Sequence, residues 1–470
     1  MKSTINIYIL SIAVLLATGC KVSKDISTPV DAAPAAYRNV TTTDTSNIAN
    51  IQWKNFFSDA SLQKLIDSTI ANNYDMQTAV KNIEAAQLVL KQSKLGYLPE
   101  AKLQVSGAIN RPSDNSLNGI SLSQFLGKSY VEDYTVSAVL SWEADIWGKI
   151  KNQKTKALAE YLQTTEARKA IQTNLVADVA KGYYNLLMLD AQVAIAKKNL
   201  LLNDSTLNII KLQYNSGQVT ALAVQQAEAQ RLVAAKLVPQ LEQELAIQEN
   251  ALSILAAVAP AAIERKNNLK NIEFAQNISA GVPSTLLSNR PDVKSNELAL
   301  TVANANTAIA KASMYPSLTI TAAGGINAFK ASNWFNIPAS LFATATGGIT
   351  QPLFQRKQLK TQYELAKVER EKSVIQFRQS VLNAVGEVSD ALVKNEKLKE
   401  QETIAVSRTN TLQQATGNAD LLFKNGMATY LEVITAQSNV LQAELELAVL
   451  KKDQLYAVVD LYRSLGGGWK

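Results

Sequence analysis

Four stretches of the chain alternate between apolar and polar positions, the two-residue period of a strand with unlike faces. Leu103, Val105, Gly107 and Ile109 alternate with Lys102, Gln104, Ser106 and Ala108. Tyr134, Val136, Ala138, Leu140 and Trp142 alternate with Thr135, Ser137, Val139 and Ser141. Leu318, Ile320, Ala322, Gly324 and Ile326 alternate with Thr319, Thr321, Ala323 and Gly325. Leu341, Ala343, Ala345, Gly347 and Ile349 alternate with Phe342, Thr344, Thr346 and Gly348. Strands are predicted over about 101–110, 132–142, 317–327 and 340–350. Each is close to the roughly 9–11 residues that a tilted strand needs to cross a bilayer. One face is apolar, as lipid requires, and the other small and polar, as a wet lumen requires. A soluble sandwich would show the same alternation, so the runs alone leave both architectures open.

The rest reads as helix, over about 60–97, 149–216, 219–257, 285–314, 356–425 and 428–465. From Lys149 to Ser216 there is no proline, and Val179, Leu186, Val193, Leu200 and Leu207 recur every seven residues, a coiled-coil spacing. That stretch is 68 residues, about 100 Å of helix. Arg356 to Asn425 is 70 residues, about 105 Å. The two long helices end at Gly217 and Gly426, after which the chain turns back. Pro239 lies inside the first return helix and predicts a kink there.

The chain is written twice. Leu95-Gly96-Tyr97-Leu98-Pro99 before the first strand is echoed by Ala312-Ser313-Met314-Tyr315-Pro316 before the third. Ile146-Trp147-Gly148-Lys149 is echoed by Leu353-Phe354-Gln355-Arg356, and Asn215-Ser216-Gly217 by Lys424-Asn425-Gly426. Three ordered echoes about 210 residues apart indicate a duplicated half, far longer than the roughly 20–50 residues of a solenoid repeat. The first half is 51–258, the second 285–470, with a linker over 259–284.

Composition narrows the chemistry. The 470 residues include no histidine and one cysteine, Cys20. That excludes His-based triads, His metal sites and internal disulfides. Glu143 and Asp145 stand close together, but no nucleophile or phosphate motif accompanies them, so neither a catalytic residue nor a metal site is expected. The net charge is +7 with the charges interspersed, which argues against nucleic acid as a partner.

The N-terminus has a basic start at Lys2 and an apolar run from Ile5 to Ala17, too short to span a bilayer. It ends in Ala17-Thr18-Gly19-Cys20, which resembles a bacterial lipobox with Ala17 where Leu is usual. The resemblance implies a signal peptide over 1–19 and acylation of Cys20 with palmitate-type chains, with no other cofactor. Lys21 after the cysteine suggests sorting to the outer membrane. Residues 20–50 read as an extended lipid-anchored tether.

Four strands cannot close a membrane barrel, and an open sheet edge is not tolerated in lipid. Two chains would supply eight strands and three would supply twelve, so the pattern asks for a homo-oligomer. Here the chain resembles the outer-membrane factor family, the TolC-like channels, in its NodT-type efflux lipoprotein branch. The resemblance rests on Trp53-Lys54-Asn55-Phe56-Phe57 at the opening and Trp142-Glu143-Ala144-Asp145-Ile146-Trp147-Gly148 at the strand-to-helix junction. It also rests on Arg290-Pro291-Asp292-Val293 with Ala303-Asn304-Ala305, and on Leu461-Tyr462-Arg463-Ser464-Leu465-Gly466-Gly467-Gly468-Trp469.

The resemblance implies a mainly α chain with a membrane β-barrel part. Two tandem repeats give four transmembrane strands and very long periplasmic helices, which close as a homotrimeric 12-stranded β-barrel continued by an α-helical barrel. It implies the exit duct of a tripartite efflux system in the bacterial outer membrane. The expected partners are a periplasmic adaptor, an inner-membrane pump of the resistance-nodulation-division type, and outer-membrane lipid. The alternatives are the duct of a type I protein secretion system or, outside the family, a lipid-anchored coiled-coil binding lipoprotein. The adaptor-contacting tip would be Asn215, Gly217, Asn425 and Gly426. The gate would lie on the helix after Gly426, with Leu431 as a constriction, Thr435 where relatives carry aspartate, and Glu432 about 100° around the helix from Leu431. Trp142 and Trp147 fit a membrane-interface belt or plain packing at the joint. Arg290 and Asp292 read as a helix-start motif, with a buried ion pair as the alternative, and Gly466–Gly468 as a flexible helix stop.

Overall fold

The computed structural model describes Tyr37, residues 48–272, Gly281 and residues 283–470. The expected signal peptide, Cys20, most of the expected tether and part of the 259–284 linker lie outside the described residues. The longer helices are α1 (Ala60–Asn72), α2 (Tyr74–Lys94), α3 (Leu117–Leu126), α4 (Lys149–Asn215), α5 (Ala221–Leu255), α6 (Pro291–Ala312), α7 (Gln358–Lys424) and α8 (Tyr430–Ser464). The strands are β1 (Glu100–Asn110), β2 (Val131–Ala144), β3 (Ser317–Ala328) and β4 (Leu341–Thr350). No helix among the described residues is long and apolar enough to cross a membrane.

Two expectations need correction. The helix expected over 60–97 is two helices, because Asn73 sits between them with extended ψ and accepts from the N–H groups of Asp75 and Met76 at 2.9 and 3.1 Å. That is a new N-cap, which starts α2 and ends α1. The helix expected over 285–314 begins at Pro291, after a separate turn at Leu286–Asn289, since proline suits the first turn of a helix and not its interior. Neither repeat forms a compact unit by itself. One compact unit includes Glu84–Leu162 and Leu298–Ile375, and the other includes Gln163–Glu297 and Gln376–Lys470, so each draws on both repeats.

In the first unit the four strands form one antiparallel sheet in the order β1-β2-β3-β4. The register keeps the apolar set of every strand on one face. Leu103 opposes Ala138, Ala138 opposes Gly324, and Gly324 opposes Ala343. One residue over, Gln104 opposes Ser137, Ser137 opposes Gly325, and Gly325 opposes Phe342. A slip of one residue in any pair would mix the faces, so the pattern itself specifies the pairing. Among the described residues, the outer sides of β1 and β4 have no strand beside them.

The second unit has the larger core. Tyr183, Tyr184, Leu186 and Leu187 of α4 are buried, together with Val381 and Val388 of α7 and Leu455, Val459 and Leu461 of α8. Of the heptad read from the sequence, Val179, Leu186 and Leu207 are buried, while Val193 and Leu200 are half-buried. Tyr183 donates to the Asp59 carboxylate at 3.0 Å, and Asn267 donates to the same oxygen at 2.8 Å. Burial, and then the Asp59 charge, push the Tyr183 phenol above its ordinary value.

The glycine run near the C-terminus is a packed junction rather than a flexible stop. Gly466 and Gly468 have φ of 93° and 104°. A Cβ on Gly467 would stand 2.3 Å from the Tyr462 ring. That ring stacks on Phe56 at 4.0 Å, and its hydroxyl donates to the Ile51 carbonyl at 2.6 Å. The family-like opening and ending of the chain are therefore held against each other.

Candidate functional site

The positions singled out for function fall at three places. The first is the strand-to-helix junction. Trp142 Nε1 donates to the Tyr97 carbonyl at 2.9 Å, and Trp147 Nε1 donates to the Pro316 carbonyl at 2.7 Å. Trp147 also stacks on Tyr315 at 4.9 Å. Each indole thus ties its junction to the segment entering a neighbouring strand. Asp145 caps α4 by accepting from Ile150 N and Lys151 N, both at 2.9 Å, and Glu143 pairs with Lys149 at 2.9 Å. The two carboxylates that stood close in sequence have separate structural partners, so they form no acid–base pair.

The second place is the pair of turns ending the long helices. Gly217 has φ of 78° and Gly426 has φ of 76°, the left-handed conformation that glycine adopts without Cβ strain. After α4, Gly217 N donates to Tyr214 O at 2.9 Å and Gln218 N to Gln213 O at 2.9 Å. After α7, Gly426 N donates to Phe423 O at 3.0 Å and Met427 N to Leu422 O at 2.8 Å. Both are the paired bonds of a Schellman motif, so the duplicated sequence gives a duplicated turn. The side chains of Asn215 and Asn425 are exposed, and Asn425 Nδ2 reaches back to Leu421 O at 2.8 Å. A small core of Leu207, Ile210, Ala223, Ala227, Phe423 and Val433 fastens the two turns together. Tyr430 adds a bond from its hydroxyl to Gln226 Oε1 at 2.6 Å. Sequence periodicity gave each turn but not this union, because the partners lie two hundred residues apart in the chain.

The third place is the start of α8. Val433, Gln437 and Val440 are buried, which leaves Leu431, Thr435 and Ser438 together on the exposed side. Leu431 is 57% exposed. Leucine and threonine one turn apart thus share an outward face, as the helical period requires. Glu432 is also exposed, but its carboxylate accepts from Thr429 N at 2.6 Å. This is the reciprocal half of a capping box, so Glu432 has a helix-starting task that the sequence reading did not assign to it.

One further cluster was only half visible in the sequence. Arg290 is buried and donates to Asp292 at 2.6 and 3.0 Å, to Glu387 at 3.0 Å, and to the Ser464 carbonyl at 3.0 Å. It joins the start of α6 to the middle of α7 and the end of α8. Burial tends to raise the Asp292 carboxyl, but the Arg290 guanidinium outweighs it and holds Asp292 below its ordinary value. Helix-start motif and ion pair are both present in the same two residues.

Comparison with known proteins accounts for this architecture. The chain is 27% identical over 463 residues to the cation efflux system protein CusC of Escherichia coli O6:H1, covering 97% of each chain. It is 30% identical over 425 residues to the toluene efflux pump outer membrane protein TtgF of Pseudomonas putida, covering 90% of this chain and 86% of that one. A crystal structure of CusC superposes with a TM-score of 0.84 at 25% identity, covering 96% of this chain and all of the other. Residues 65–258 and 282–467, one stretch in each repeat, match the outer membrane efflux protein family, and the chain belongs to that family.

Proposed function

We propose that this outer-membrane efflux protein is the exit duct of a tripartite efflux system, conducting small-molecule substrates outward as a homotrimer. The observation that carries the reading is the sheet. Its four strands keep apolar side chains on one face and mostly small and polar ones on the other, and among the described residues neither outer edge has a strand beside it. Lipid accepts such a sheet only when the edges are paired, and β1 of one copy against β4 of the next does so. Three copies give twelve strands with a water-filled interior, whereas two give eight, which leave little more than room for side chains. Substrates would be delivered by a resistance-nodulation-division type pump through a periplasmic adaptor, which would meet the paired turns at Gly217 and Gly426. Leu431 and Thr435 would form successive rings of the closed gate, the first apolar and the second neutral. Acylation at Cys20 would hold the N-terminus in the outer membrane.

The test is stoichiometry together with conduction. Purified protein in mild detergent should have the mass of three chains by light scattering and should open ion-conducting channels in planar bilayers. A monodisperse monomer that still conducts would overturn the reading.

A further inference from the structure

One residue stands out on the hydroxyl face of the sheet. The register assigns Phe342 to the same face as Thr344 and Thr346, and among the described residues of the four strands it is the one aromatic side chain there. Its cross-strand partner is Gly325, where a Cβ would fall 2.0 Å from the Val136 carbonyl oxygen, so no side chain can stand beside the ring. Beyond Gly325 the rung continues through Ser137, which is buried, to Gln104. An aromatic residue across from a bare glycine is the arrangement in which the ring shelters the exposed backbone. The exposures agree: Phe342 is half-buried, while its neighbour Leu341 on the opposite face is 56% exposed.

We propose that Phe342 is a solute-contact position on the wall of the duct, a planar aromatic station in a passage lined mostly by small and polar side chains. This rests on the duct reading above, in which the hydroxyl face lines the lumen. Each chain contributes one ring at the same level of the sheet. Solutes with a flat apolar surface, above all aromatic cations, gain dispersion and cation–π contact there that threonine cannot offer. Small hydrated ions gain little, so the station acts on which solutes linger rather than on net charge selection.

The test uses the full chain reconstituted in planar bilayers, in a Cys20→Ala background. Thr344→Cys and Ala343→Cys first report which face is wet. A water-soluble cationic thiol reagent should reduce current through Thr344→Cys and leave Ala343→Cys unchanged; the opposite result would overturn the duct reading itself. With the face established, block of the current by ethidium should weaken about two- to tenfold in Phe342→Ser and stay near the unsubstituted value in Phe342→Tyr. Equal block in Phe342→Ser and the unsubstituted channel would overturn the contact assignment and leave the duct intact. If Phe342→Ser does not assemble, Phe342→Leu keeps the bulk and removes the aromatic face; undiminished block in that variant would overturn the assignment as well.

Discussion

Arg290 shows what single residues do in this protein. Its buried guanidinium meets two carboxylates and a carbonyl from three segments. Its loss leaves two half-exposed carboxylates and a buried carbonyl without their shared donor, which costs about 1–3 kcal/mol, less than in a fully buried pair because water screens the carboxylates. Arg290→Met should therefore lower thermal stability by about that amount in calorimetry of the detergent-solubilised protein. The pH dependence adds a sign. Because Asp292 is held below its ordinary value, the ion pair stabilises in full above about pH 4, the unfolded aspartate range. That contribution is lost as the pH falls through the lowered value. Melting temperatures of wild type and Arg290→Met should converge as the pH drops below about 4; parallel curves would contradict the assignment. Sequence reading brought Arg290 and Asp292 into view because they are near neighbours. It missed Glu387, 97 positions away, because no local period connects residues that meet only after the helices pack. It misread Gly466–Gly468 for a similar reason. A glycine required by a neighbouring ring and a glycine that merely ends a helix look alike in one dimension.

Secondary structure elements were more legible. Strong periodicity carried the strands, since a two-residue alternation sustained over ten residues leaves few other solutions. The long helices were marked by the absence of proline and by a glycine just past the last turn of each. Less legible was α3, between β1 and β2, whose short apolar run Leu117–Leu126 includes Ile120, Phe125 and Leu126 but has no clear helical stripe. Its start is set by Ser116, which accepts from Gly119 N at 3.1 Å. The break at Asn73 was hidden because the apolar pattern runs on through it. The terminal turns permit a clean measurement at this scale. No atom lies within 4 Å of a Cβ built on Gly217 or Gly426, so substitution there tests backbone conformation alone. Gly217→Ala and Gly426→Ala should each destabilise by about 1–2 kcal/mol, and Asn at either position by less, because asparagine visits the left-handed region more readily. Denaturant titration of the four variants checks the order. A loss much larger than this range would mean that these turns also make contacts in the assembly.

For the whole molecule, duplication was plain in the sequence, but its spatial consequence was not. Both compact units draw on both repeats, so the internal symmetry does not divide the chain into two bodies. A repeat read from sequence says which elements resemble each other, not which ones pack together. Assembly should depend on the strands and helices rather than on the lipid. Cys20→Ala, exported with an unmodified N-terminus, should still form trimers that resist dissociation in mild detergent, while the acyl mass disappears from intact-protein spectra. Loss of the trimer in that variant would show that the anchor takes part in closure.

The pairing of β2 with β3 matters for how the protein is made. It joins Tyr134 to Ala328 and Ala144 to Leu318, residues separated by the rest of the first repeat, the linker and the opening of the second repeat. A chain emerging from the export machinery completes the β1–β2 hairpin early, then must keep that greasy ribbon from meeting others until the third strand arrives. During this interval the ribbon is the most aggregation-exposed part of the nascent chain. Local helices form quickly by comparison, so this distant seam should close late. Each newly exported chain should therefore reach the assembled state in higher yield when a periplasmic holding chaperone is abundant while its second half is still in transit.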